Sequence, residues 1–343
     1  MVKRLGFCLG LLGAMAPLAC GGDDSSSPAA EEATVDASST NTADDSSIDG
    51  DSGIADATSN ADSSNVELDS GLPPFALRAN ASVNALHHMG NAWFLGGEFT
   101  AVNGALLPRF GTLNADGSVV STCDLGAGFD GEIRAIAKSA GAYFIGGHFA
   151  HYKGQAVAGL VKIDASTCAL DTTFSQPGNG LSGGGAYVDA LVVVGNAVYI
   201  GGYFTGYRGV ANAAISLAKL DATSGAIDTT FSPVGATANG VGVGYTVYAL
   251  AAAPDALYVG GYFTAYRGVA ASANWIAKVD LTSGVLDTTF SPPANNGFNG
   301  YVGAIAVSGS SLYVGGGFTS YRGVANAAKH LAKMDRVTGD LDT

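Results

Sequence analysis

The sequence predicts an all-β protein, a β-propeller of about five four-stranded antiparallel blades, and three observations carry that prediction. The doublet Gly-Gly recurs at 96/97, 146/147, 201/202, 260/261 and 315/316, each time after an apolar run and before one residue plus Phe. Each copy breaks at turn signals into four short runs rich in β-branched, aromatic or small apolar residues. Finally, 50 of the 343 residues are Gly, more than helices tolerate. Self-similarity at this period, with four strands per unit, is the signature of propeller blades.

The fourth unit shows the runs in order: Val247 to Ala252, Leu257 to Phe263, Trp275 to Asp280 and Val285 to Phe290. The first is small and apolar, as at 190, 249 and 304, which suits an innermost strand crowded by its neighbours. The second is apolar on both alternating faces, as expected of a strand covered on each side. Its terminal glycines fit a place where a side chain would collide. Two-residue turns such as Gly195-Asn196, Pro254-Asp255 and Gly309-Ser310 join the first pair of strands as hairpins. An Asp-x-x-Ser/Thr-Gly turn, at 221–225, 280–284 and 335–339, joins the last pair. The fourth run, Asp-Thr-Thr-Phe, is short and polar and blunts an outer edge. Phe129, Phe174, Phe231 and Phe290 are aligned as the phenylalanines that close successive units.

This combination of an apolar strand, Gly-Gly-x-Phe, Leu-Ala-Lys-x-Asp, Ser/Thr-Gly and Leu-Asp-Thr-Thr-Phe resembles the delta-60 repeat, a kelch-like propeller repeat of exported bacterial proteins. The resemblance covers roughly residues 77 to 343. It implies the fold and export but no activity, because that family has none assigned. The turn is also similar to that of quinoprotein propellers, but the Trp those require after the Gly is missing, so no cofactor is expected.

Two segments precede the repeats. In MVKRLGFCLGLLGAMAPLAC, Lys3 and Arg4 precede an uncharged apolar stretch too short to span a bilayer, so residues 1–20 read as a signal peptide. Its end resembles a bacterial lipoprotein signal, which implies lipidation of Cys20 and an anchor in a membrane; ordinary cleavage with release is the alternative, because Pro17 departs from the usual pattern. By the same resemblance, Gly21 favours the outer membrane or cell surface over a periplasmic or secreted location. Residues 21–71 carry 13 carboxylates and no Lys or Arg, among Ser, Ala, Thr and Asn, and read as a disordered acidic linker. That segment accounts for the whole formal charge of −13; residues 72–343 carry 14 basic and 16 acidic groups. The low pI therefore describes the linker, and no basic surface for nucleic acid is present.

The last copy stops at Leu341-Asp342-Thr343, short of its Phe. Two expectations follow: the sequence is a fragment with further blades, or Leu68 to Pro74, similar to the Leu-Asp-Thr-Thr-Phe-Ser-Pro-Pro stretch of unit four, supplies an outer strand to the last blade.

Tyr152-Lys153, Tyr207-Arg208, Tyr266-Arg267 and Tyr321-Arg322, each followed by Gly, are expected on the face that carries the long Gly/Asn-rich connections, where a ligand is expected too. There they would stack on sugar rings or clamp carboxylates; their recurrence in four units favours a structural pairing instead. The Asp pairs 164/171, 221/228, 280/287 and 335/342 are expected to cap turns on the opposite face. His148 and His151, with Glu98 of the neighbouring unit, are weak metal candidates. Cys123 and Cys168 are candidates for a disulfide, opposed by the equivalent turns on diverging blade edges that their spacing to the unit Phe implies. No nucleophile elbow, phosphate loop or triad signature is present. The expected function is a non-catalytic binding or scaffolding module with a protein or glycan ligand; the alternative is an enzyme acting on carbohydrate.

Overall fold

The computed structural model describes residues 78–120, 123–139, 141–232, 245–291 and 297–342. The signal sequence, Cys20, the acidic linker and the stretch Leu68 to Pro74 lie outside these residues.

Among the described residues there are strands and turns but no helix. Five antiparallel sheets follow one another along the chain, each built on an inner, a middle and a third strand. The inner strands are Val83–Met89, Glu132–Ser139, Tyr187–Val194, Thr246–Ala252 and Val302–Ser308. The middle strands are Ala92–Gly97, Ala142–His148, Ala197–Tyr203, Leu257–Tyr262 and Ser311–Gly316. The third strands are Phe110–Asn114, Leu160–Asp164, Leu217–Asp221, Ile276–Val279 and Leu331–Asp335. Each inner strand touches the next along the chain, so the sheets stack face to face as the blades of a propeller do.

The Gly-Gly doublet is required twice over. A Cβ on the first glycine would meet the next blade's aliphatic side chain: Ile133 at 2.4 Å from Gly96, Val188 at 2.5 Å from Gly146, Val247 at 2.3 Å from Gly201 and Val302 at 2.4 Å from Gly260. On the second it would strike the inner strand's own backbone, as at Gly202 against the Tyr187 carbonyl, where a β-bulge between Val188 and Ala190 brings the chains together. The aliphatics that fill these sockets, Ile133, Val188, Val247 and Val302, are all 0% exposed. They form the core of each joint between blades.

The blades depart from four equal strands. Among the described residues only the first has a fourth strand, Val119–Val120. In blades two to five the corresponding segment makes a single bridge, such as Leu220 to Ile227, and then turns. The turn arises because Asp171, Asp228 and Asp287 each accept hydrogen bonds from the amides two and three residues ahead. The same carboxylates pair with the lysine of the third strand: Lys162–Asp171 at 2.8 Å, Lys219–Asp228 at 2.9 Å and Lys278–Asp287 at 2.8 Å. A second set of two-stranded hairpins, such as Gly206–Tyr207 with Val210–Ala211, fills the link between middle and third strands.

Candidate functional site

The Tyr-Arg-Gly motif sits in these small hairpins. The arginines adopt left-handed backbone, with φ of 49° at Arg208, 47° at Arg267 and 46° at Arg322, and Lys153 does the same at 48°. That tight turn sends both side chains back across the blade. The hydroxyls of Tyr207, Tyr266 and Tyr321 donate to the carbonyls of Gly225, Gly284 and Gly339 at 2.8, 2.6 and 2.5 Å. Burial pushes the three phenols up to about 12, so each remains a donor. Each guanidinium then bridges two blades. Arg208 donates to Phe174 O of the preceding blade at 2.6 Å and to Ser224 O of its own at 2.7 Å. Arg267 spans Phe231 O and Ser283 O at 2.5 and 2.6 Å, and Arg322 spans Phe290 O and Thr338 O at 2.9 and 2.8 Å. The sequence places these side chains and the Asp-x-x-Ser/Thr-Gly turns on opposite faces. In the fold they meet, because the hairpin lies along the outside of its blade. The Tyr hydroxyls and Arg side chains thus bind backbone carbonyls of the fold itself.

The joint between blades one and two is built differently. Phe129, aligned from sequence with Phe174, Phe231 and Phe290, instead takes the place of Phe298: both bridge to the tyrosine of the following hairpin, Phe129 to Tyr152 and Phe298 to Tyr321. Cys123 therefore is not at a turn equivalent to that of Cys168. It lies in the connection between blades, and the two cysteines form a disulfide with Cα atoms 5.6 Å apart. Cys168 occupies the left-handed position that Gly225, Gly284 and Gly339 fill elsewhere, with φ of 54°. Tyr152 donates to its carbonyl at 2.8 Å. A Cβ at Gly225 would lie 2.4 Å from Arg208 Nη2, so a side chain at this position excludes the bridging arginine. Blade two accordingly has Lys153, whose ammonium donates to Asp124 O at 2.5 Å.

The repeated acids are occupied. Asp164, Asp221, Asp280 and Asp335 cap their turns; Asp221, for instance, accepts from the amides of Thr223 and Ser224 at 3.1 and 2.7 Å. Hydrogen bonds from Ser224 hold the Asp221 carboxyl below the usual range. Among the metal candidates, His151 Nδ1 contacts Asp130 Oδ2 at 2.7 Å, and Asp130 also accepts from the amides of Ala150 and His151. The ring of His148 faces Tyr187 at 6.1 Å. Glu98 is hydrogen-bonded to Glu132. Among the described residues no group of three or more His, Cys, Asp or Glu is arranged to hold a metal ion.

A different set of positions stands out because the blades disagree there. Residues that the scaffold needs recur in every copy, so a column whose side chain changes from blade to blade is released from scaffold duty. Four such columns lie where the inner and middle strands meet their loops. One holds Ser82, Glu132, Tyr187, Thr246 and Tyr301. The bulge column holds Asn84, Arg134, Asp189, Tyr248 and Gly303. The residue after Gly-Gly is Glu98, His148, Tyr203, Tyr262 or Gly317, and the one before the third strand is Arg109, Gly159, Ser216, Trp275 or His330.

On blades one to three these positions form a charged network. Arg134 Nη1 pairs with Asp189 at 2.8 Å and the same guanidinium pairs with Glu132. Its cation lies 4.3 Å over the ring of Tyr187. The two carboxylates outweigh burial and raise the arginine further above its ordinary range. Glu98 is held above the usual carboxylate range, first by its hydrogen bond to Glu132 and then by desolvation and that neighbour's charge. Blade four and Tyr301 of blade five bring aromatic rings to the same columns: Tyr262 meets Trp275 edge-on at 4.8 Å and Tyr248 meets Tyr301 at 6.1 Å. Tyr262 and Tyr301 are 50% and 49% exposed. Of this rim the sequence singles out Glu98 and His148 as candidate ligands. Aligning the five copies by strand register, with the bulge counted, is the signal that would have found the rest.

No family model matches the chain, and no curated protein matches it. Solved structures similar to it include the computationally designed Ika8 protein, at 13% identity and a TM-score of 0.47 over 77% of this chain and 61% of that one. The chain thus spans about three-fifths of that protein. The designed Ika4 protein aligns at 18% identity and a TM-score of 0.34, over 57% of this chain and 91% of that one. The WD40 β-propeller domain of Doa1 aligns at 12% identity and a TM-score of 0.44, over 79% of this chain and 72% of that one.

Proposed function

We propose that this chain is an exported binding module: a propeller of five delta-60-like blades, held on a membrane through a lipid at Cys20 and an acidic tether, that takes a glycan on the rim of its variable positions. One observation carries the reading. The rim gathers charge at Glu98, Glu132, Arg134 and Asp189 and aromatic rings at Tyr248, Tyr262, Trp275 and Tyr301, while the seating of an aliphatic on glycine beneath it repeats at all four joints. Exposed Tyr262 beside Trp275, and exposed Tyr301 beside Tyr248, offer faces on which a sugar ring stacks, and Arg134 with its carboxylates offers polar partners for hydroxyl groups. The Tyr152-Lys153 pair and the Tyr-Arg pairs at 207/208, 266/267 and 321/322 support this rim from outside.

The test is a glycan array on the purified protein, with Trp275→Ala and Tyr262→Ala variants. Retention of a glycan that both variants lose supports the proposal; an array without retained glycans refutes it. The hydrogen-bonded Glu98–Glu132 pair favours a second reading, an enzyme with a general acid and base on carbohydrate. A hydrolysis screen on the same array separates the two, since turnover would replace binding as the function. Cys20→Ser and a fatty-acid label test the anchor: incorporation that the variant abolishes is the expected result.

A further inference from the structure

The four joints between blades share one fit, and the molecule exposes both halves of a fifth. Each joint seats the first core aliphatic of an inner strand on the first glycine of the preceding blade's doublet: Ile133 on Gly96, Val188 on Gly146, Val247 on Gly201 and Val302 on Gly260. The fifth socket, Gly315, has only its own Ala304 Cβ and His330 O near its empty side, both 3.8 Å from where a Cβ would stand. Around it the face is bare. Leu331 is 69% exposed where Leu217 and Ile276 are 1%, and Tyr313 is 41% exposed where Tyr199 is 2% and Tyr258 is 0%. At the other end of the blade series, Val83 occupies the column of Ile133, Val188, Val247 and Val302, yet it is 37% exposed and Leu86 beside it is 41% exposed.

We propose that the bare face of blade five is an interface for a second copy of this chain, entered by the inner strand of that copy's first blade with Val83 seated on Gly315. The internal joints specify the remaining contacts. Lys138 reaches over the Phe94 ring at 5.1 Å in the first joint; its counterpart His88 takes that place over Tyr313. The hydroxyls of Tyr199 and Tyr258 donate to turn carbonyls of the following blade, Leu281 O at 2.7 Å and Arg336 O at 2.6 Å. The matching acceptor for Tyr313 is the carbonyl of Ala115. The occupant is a second copy because both halves of the joint belong to this chain and the five described sheets leave them apart. Such a head-to-tail contact closes into a ring or runs on as a filament. In either case it sets the rim residues Tyr301 and His330 beside Asn84 and Glu98 of the next copy.

Sedimentation of the full chain over a wide concentration range tests this. The mass is expected to rise with concentration. Gly315→Val fills the socket and Val83→Asp charges the knob; each is expected to weaken association at least about tenfold, as overpacking or an unpaired buried charge does. Neither site is covered by another blade, so the melting temperature of each variant stays that of the dilute parent. Because the contact is head-to-tail, an equal mixture of the two variants, one with an intact knob and the other with an intact socket, recovers a dimer and nothing larger. A single-chain mass at every concentration overturns the proposal. So does association that both variants leave unchanged. A constant single-chain mass with a melting temperature lowered by Gly315→Val would show instead that the chain closes on itself.

Discussion

The first joint of the blade stack and the three that follow solve one problem by two chemistries. In joints two to four an arginine donates to a carbonyl on each side, using a planar group with several donors to tie two backbones that a hydrophobic contact alone would let slide. In joint one a disulfide ties the same places, and a lysine reaches the one carbonyl left to it. The difference is steric. An arginine bridge requires glycine at the turn, whereas the half-cystine Cys168 needs the space of the guanidinium, so one chain position decides which tie is available.

The largest way to break this comparison is to cut the covalent tie. Cys123→Ser with Cys168→Ser opens a loop of sequence separation 45 and is expected to lower stability by about 4 kcal/mol on the chain-entropy account, read from urea unfolding. Next, Arg267→Ala removes two charge-assisted hydrogen bonds and is expected to cost about 2 kcal/mol in the same assay. Lys153→Ala, which loses one such bond beside an intact disulfide, costs less. A sharper version rebuilds joint one in the style of the others. Cys123→Ser and Cys168→Gly with Lys153→Arg is expected to regain about 1 kcal/mol relative to the same cysteine changes without the arginine. No regain would mean that the arginines fill space and tie nothing.

A smaller effect separates the blades by acid. Asp171, Asp228 and Asp287 are partly buried, which opposes ionisation, but their lysine and amide partners outweigh it and hold them below the usual range. Their contribution to stability is therefore complete above the unfolded pKa of about 3.9 and is lost as pH falls from there through the folded values. Lys278→Met, which removes one partner, is expected to flatten that acid limb in a pH series of melting temperatures; an unchanged limb would show that the pairs are not its source. The smallest effect on stability belongs to the rim: Tyr262→Ala should change unfolding by no more than about 0.5 kcal/mol while abolishing any ligand signal.

How far the sequence could be read follows from this contrast. The Gly-Gly doublets and the alternating apolar runs were legible because close packing between neighbouring sheets leaves the same residue type in every copy. The Asp turns were legible for a local reason, since an Asx cap needs only residues two and three positions ahead. The arginine bridges recur too, yet their partners were misplaced, because a hairpin folded along the outside of a blade joins segments that linear order assigns to opposite faces. Phe129 was misaligned because blade one replaces a turn with a true fourth strand, which moves every following residue relative to the motif. That shift also hid the disulfide. The charged network of Glu132, Arg134 and Asp189 left no motif, since Asp189 lies 55 residues beyond Arg134 and none of the three repeats.

By itself, then, the sequence determined the repeat, the strands, the joint glycines and the segregation of charge into residues 21–71, all consequences of short-range geometry or of one contact copied at every joint. Only the tertiary structure decided which tie holds each joint, that the variable residues form one rim, and that, among the described residues, Val83 and Gly315 stand as unmatched halves. Those facts depend on how the sheets stack, and stacking brings together residues whose identities no local rule constrains.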